Sequence, residues 1–175
     1  MTSWQGLTWF MFHTMTLNYN PEYKDEYITF FDTLRTIIPC RMCRDNYKNK
    51  LNHPLLSIDL NINPDRIFNW TVDLHNNVNK STGKKLWSYD EARNYYQKNN
   101  FNNKMVKFFL YEYVKTNYKK TPEKTGQLIR MMKTLSYFSP DADKRQKLIE
   151  FKDKFELNRS TFKSWLFAFV VILLS

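Results

Sequence analysis

Apolar residues recur at intervals of three and four along most of this chain, and no stretch alternates apolar and polar residues as a half-buried strand does. The pattern is all-helical. Ser3 caps a first helix carrying Trp4, Leu7, Trp9, Phe10, Phe12, His13 and Leu17, which ends before Pro21. Tyr27, Phe30, Phe31, Leu34 and Ile37 mark a second, from about Glu22 to Ile37. Pro39 stops it and, with a φ suited to a first turn, opens a third helix from Cys40 to about Leu51. Residues 55–62 read as a loop. Asn63-Pro64-Asp65 predicts the start of a fourth helix, with Asn63 as cap, running to Lys80. Ser88 and Glu91 form a capping-box pattern for a short fifth helix ending near Asn99.

These elements predict a four-helix bundle with a short fifth helix over residues 1–100. The spacing then predicts helices over 102–118, 122–137 (Thr121 as cap) and 141–157, an α-helical extension spanning 101–160. The remaining tail, 161–175, is nearly pure apolar from Trp165 to Leu174. Ten helical residues reach roughly 15 Å, about half of a ~30 Å hydrocarbon core. The tail therefore reads as the start of a truncated membrane anchor, with an interfacial segment or a final packed element as the other readings. The N-terminus lacks the basic run and small-residue cleavage site of a signal peptide.

Composition adds two exclusions. Hydrophobic residues at 42% and aromatics at 17% supply a core and argue against disorder. Three glycines leave no phosphate-cradling glycine loop, which argues against Rossmann and P-loop sites. The formal charge of +10 raises a nucleic-acid reading. Most of it comes from residues 101–163, where fifteen Lys and Arg stand against seven Asp and Glu. The bases are spread among acids, as on a solvated helix surface.

The chemistry lies in the only two cysteines, Cys40 and Cys43, in Pro39-Cys40-Arg41-Met42-Cys43-Arg44. A pair three apart is a redox dithiol or half of a zinc site, and the other ligands a zinc site needs would have to come from His13, His53 and His75. A helix N-terminus, together with Arg41 and Arg44, favours the thiolate, the form that exchanges with disulfides. A thioredoxin-like domain would show alternating strands and helices, and this sequence shows no such strands, which favours a bound electron acceptor. His75, Asn76 and Asn79 cluster three hydrogen-bonding side chains on one helix. His53, in Asn52-His53-Pro54, reads as a helix end, and Met42 as packing.

Three motifs together resemble the Erv/ALR family of FAD-linked sulfhydryl oxidases, especially the small forms of large DNA viruses. They are Trp9-x3-His13, Pro39-Cys40-x2-Cys43, and Trp70-x4-His75-Asn76-x-Val78-Asn79-Lys80 followed by Lys84 and Trp87. The resemblance covers about residues 3–98. It implies FAD held by Trp9, His13, His75, Asn76, Val78, Asn79, Lys80, Lys84 and Trp87, in a homodimer. It also implies that Cys40 is attacked by the substrate dithiol while Cys43 lies beside the flavin, with molecular oxygen reduced to hydrogen peroxide. No residue is expected to bind a metal.

Four departures stand out: Gln5-Gly6 where the family often has Gly-Arg, Ile38 where an aromatic often precedes Pro-Cys, no second disulfide, and no shuttle cysteine pair. The thiol partner is therefore a separate protein, such as a thioredoxin-like or other CxxC protein. With a viral origin, the expected location is the host cytoplasm or the virion, at or near membranes. The alternative reading is a Cys/His metal-binding module with a basic nucleic-acid-binding face.

Overall fold

In a computed structural model, which describes residues 3–175, every regular element among the described residues is helical. The expected helices of the first hundred residues are α1 (Trp4–Leu17), α2 (Lys24–Ile37), α3 (Arg41–Leu51), α5 (Ile67–Ser81) and the short α6 (Tyr89–Lys98). A four-residue helix, α4 (Ile58–Asn61), falls in the segment expected to be a loop. The later part supplies α7 (Asn103–Asn117), α8 (Pro122–Thr134), α9 (Ala142–Lys154) and α10 (Phe162–Leu174).

The local signals act as their chemistry requires. Ser3 accepts from the Gly6 N–H at 3.2 Å, and Thr121 and Asp141 cap α8 and α9 in the same way. Ser88 and Glu91 close the capping box in both directions, at 3.1 and 2.9 Å. Two helix starts differ from expectation. Cys40, not Pro39, stands at the start of α3, and its sulfur accepts from the Cys43 N–H at 3.2 Å. Asn63 does not cap α5: its side chain closes a turn on the Asp65 N–H, and the helix begins at Ile67.

One hydrophobic core runs through both the first hundred residues and the extension. Helix α8 lies along α2, and α7 lies along α1. Phe30 of α2 meets Phe109 of α7 and Phe138, while Tyr27 meets Phe138 at 4.5 Å. Tyr113 of α7 reaches Thr8 of α1, hydroxyl to hydroxyl at 3.1 Å in the interior.

The apolar tail forms α10 and packs on the body. Phe162, Trp165, Phe169 and Leu173 recur at three and four, and all are buried. Phe162 stacks on Tyr118 at 4.0 Å, and the Trp165 indole N–H donates to the Phe155 carbonyl at 3.0 Å. Phe167, at 74% exposure, and Val171 remain on the outer edge. Among the described residues no helix is long and apolar enough to cross a membrane.

Candidate active site

The dithiol sits where two helices meet. Pro39 has no N–H to continue α2, so the chain turns there and α3 starts afresh with Cys40. Cys40 and Cys43 are joined as a disulfide, with Cα atoms 5.2 Å apart. Both are half-buried. Met42 is 71% exposed, so it does not pack; it offers an apolar contact beside the disulfide. Arg44 points back and donates to the Ile38 carbonyl at 2.8 Å, while Arg41 lies on the surface near Asp45.

Beside the disulfide opens a cavity of about 1190 Å³. Cys43 lines it and Cys40 does not. Of the residues expected to hold a cofactor, Trp9, His75, Val78, Asn79, Lys84 and Trp87 line the same space. His13, Asn76 and Lys80 do not. Lys80 is exposed, whereas His13 and Asn76 stand behind the wall and shape it.

His13 is buried and anchors His75. The Thr71 hydroxyl gives its only proton to the Phe68 carbonyl at 2.7 Å, so its oxygen accepts from His13 Nδ1 at 3.1 Å. His13 Nε2 is then an acceptor, and His75 Nδ1 donates to it at 3.0 Å. Each imidazole is fixed as its Nδ1–H tautomer, which leaves His75 Nε2 as an acceptor beside the cavity with no partner among the described residues. The His75 ring stacks on the Trp9 indole, centroids 4.2 Å apart and planes within 6°. On the far side of His13 lies Tyr96, at 4.5 Å.

Burial holds both rings neutral. It lowers the His75 pKa to about 4, with the Lys84 charge adding to the effect. Burial, then the nearby His75, pushes His13 well below the ordinary imidazole range. Both folded-state values lie below the ~6.5 of an unfolded imidazole. The relay's contribution to stability is therefore complete above about pH 6.5 and is lost as pH falls towards and through about 4. Thermal melts from pH 7 to 4 should show that loss. In His75→Gln, which does not titrate, the midpoint should fall less steeply; an identical slope would assign the effect to other groups.

The two asparagines act on the loop after α5. Asn76 clasps Trp87 through two bonds, donating to its carbonyl at 2.8 Å and accepting from its N–H at 2.9 Å. Asn79 donates to the Lys85 carbonyl at 3.0 Å. Gly83, at φ +67, supplies the left-handed turn that brings this loop back. The amides therefore place Trp87 and the lysine pair 84–85 on the cavity wall. Trp70 is core: it meets Phe31 edge-on at 4.7 Å and donates its indole N–H to the Leu56 carbonyl at 3.0 Å.

Several wall residues lie outside the set expected from the sequence. Tyr95 and Tyr96 of α6 could have been found as an aromatic pair after the capping box, but Asn102 and Met105, at the start of the extension, could not. A dinucleotide fits this site. The cavity exceeds the roughly 300–1,000 Å³ of ordinary small-molecule pockets. It offers aromatic rings to stack on, one fixed acceptor and the Lys84 amine for a diphosphate, while the Lys85 amine is paired with Glu91 at 2.9 Å. A metal fits poorly. The cysteines are paired with each other, and among the described residues no three His, Cys, Asp or Glu come together as ligands.

Comparison with known proteins finds relatives in sequence. A protein named "Probable FAD-linked sulfhydryl oxidase", from Acanthamoeba polyphaga mimivirus, is 39% identical over 93 residues, which are 51% of this chain and 65% of that protein. The chain thus spans just under two thirds of that relative. FAD-linked sulfhydryl oxidases of two African swine fever virus isolates, Kenya and Malawi, are 31% and 30% identical, over 55% and 58% of this chain and 82% and 87% of their own length. No solved structure gives a significant match. The sequence pattern of the Erv1 / Alr family matches residues 7–102, more than half of the chain. That span holds the disulfide, the stacked rings and the loop they face, and on it this chain belongs to the Erv1 / Alr family.

Proposed function

We propose that this chain is an FAD-dependent sulfhydryl oxidase that makes disulfides in a partner protein. One observation carries the reading: Cys43, alone of the two cysteines, shares a cavity with Trp9, His75 and Trp87. The four residues come from three helices and a loop, and no local signal brings them together.

The chain's own steps follow from that arrangement. A substrate thiolate attacks Cys40 Sγ, the Cys40–Cys43 bond breaks, and the electron pair leaves on Cys43 Sγ at the cavity wall. The second substrate thiolate attacks the substrate sulfur of the mixed disulfide and releases Cys40. The substrate departs as a disulfide, with two protons given to solvent and two electrons left on the Cys40–Cys43 pair. The first turn of α3 favours the thiolates, since its free N–H groups carry partial positive charge. When bound, FAD supplies a two-electron acceptor that passes the electrons on to oxygen, giving hydrogen peroxide. Trp9 and His75 would stack on its rings, His75 Nε2 would take a donor from it, and Lys84 would offset its phosphates.

The partner is a separate dithiol protein, because this chain has only two cysteines and both are in the relay. A thioredoxin-like or other CxxC protein fits, as does work in the host cytoplasm or virion by a homodimer. Contact with a membrane surface through the outer edge of α10 belongs to the same reading, at Phe167 and Val171.

Purified protein should be yellow, bleach when a dithiol is added without oxygen, and recover its colour in air. A colourless protein, or one carrying stoichiometric zinc, would sink the reading.

A further inference from the structure

The turn that carries the dithiol is held by a residue outside the span that matches the family. A helix end leaves its last carbonyls without partners. At the end of α2 the Ile37 carbonyl accepts from Asn117 Nδ2 at 2.8 Å. The same amide nitrogen donates its other proton to the Tyr113 carbonyl at 2.9 Å, within α7. Asn117 is fully buried, and its Oδ1 has no partner among the described residues. Its orientation is forced, because turning the amide over would aim that oxygen at two carbonyl oxygens. One residue on, Arg44 holds the Ile38 carbonyl at 2.8 Å, and the Ile38 N–H bonds to the Leu34 carbonyl at 3.3 Å. The Ile37–Ile38 and Ile38–Pro39 peptides are thus tied at three points, one of them 80 residues distant in sequence.

We propose that Asn117 is a positioning residue for the dithiol: by fixing the Ile37 carbonyl it sets the turn from which Cys40 starts, and so the poise of the Cys40–Cys43 pair. A dithiol on a loosened turn samples more conformations, so closing its disulfide costs more entropy. A clamp on that turn favours the disulfide. The tie is lost as the pair opens and the turn loosens, so it favours the disulfide by about one net hydrogen bond to a buried carbonyl, about a factor of ten in equilibrium. The inference rests on reading Cys40–Cys43 as a reversible redox pair.

The test is redox equilibration of the full chain in glutathione buffers, with the thiols trapped by alkylation and counted by mass spectrometry. Two variants remove the tie. Asn117→Leu keeps the shape and loses the amide. Asn117→Ser keeps a hydroxyl that falls back on its own i−4 carbonyl and cannot reach Ile37. Leu148→Ala, in the buried core on α9, is the control for lost stability. Both Asn117 variants should favour the open dithiol about tenfold over the unmodified protein, or ~30 mV for a two-electron couple. Leu148→Ala should melt earlier with no such shift. A shift below threefold in the Asn117 variants that fold overturns the proposal, and so does an equal shift in Leu148→Ala. If Asn117→Leu does not fold, Asn117→Ser carries the test alone. Bleaching of the unmodified protein reads the oxidase assignment separately: a protein that bleaches but whose Asn117 variants do not shift loses only the clamp.

Discussion

Cys43→Ser should yield a protein that still binds FAD but whose flavin a dithiol no longer bleaches, with the reduction rate down by a factor on the order of 10³ or more. Serine keeps the shape of the cavity wall, so stacking on Trp9 and His75 is undisturbed. What is lost is the sulfur that receives the electron pair when the Cys40–Cys43 bond opens. The companion measurement uses the dithiol form of the unmodified protein. Cys40 lies outside the cavity lining, so a bulky alkylating reagent should reach it first, and bound FAD should protect Cys43 alone. Fast bleaching in Cys43→Ser, or protection of Cys40 instead, would exchange the two roles.

The parts of this site legible in sequence are those fixed by near neighbours. Cys40 and Cys43 fall on the first turn of one helix because Pro39 forces a new start. The Ser88–Glu91 box and the caps at Ser3 and Thr121 each lie within four residues of sequence. Asn63 misled because an Asn before Pro can close a turn on the Asp65 N–H as readily as cap a helix. His75, Asn76 and Asn79 announced a polar helix face, but not its use. Asn76 spends its amide on Trp87 and Asn79 on Lys85, so two of the three build the loop wall while His75 alone presents an open acceptor. That acceptor depends on Thr71 and His13, which lie 58 residues apart and reveal the tautomer only once the helices are packed.

The apolar faces were equally visible and equally silent about their partners. Val106, Phe109, Leu110 and Tyr113 recur at three, one and three along α7, which predicts a buried stripe but not that it covers α1 and reaches Phe30 of α2. The strip Trp165–Leu174 was the same problem at larger scale. Its hydrophobicity suits an anchor or a core helix, and no periodicity shows that its helix meets Tyr118 and Phe155.

This packing gives the second large expectation: the span that matches the family should not fold when cut from the rest. A chain ending at Asn102 keeps the disulfide and most of the cavity wall, yet loses α7 and α8. Phe30 would lose both Phe109 and Phe138, Tyr27 would lose Phe138, and the buried Leu34 and Met15 lie on the helices that α7 and α8 cover. Exposing four such side chains costs roughly 6–12 kcal/mol at 1.5–3 kcal/mol each. That is comparable with the whole stability of an ordinary domain, about 5–15 kcal/mol. The Ile37 carbonyl and the Thr8 hydroxyl would also lose their α7 partners. The truncated chain should therefore show no cooperative melt by circular dichroism and retain no flavin. A sharp transition with bound FAD would mean instead that α1, α2, α3 and α5 close their own core. The extension would then be a covering rather than a part of the protein's interior.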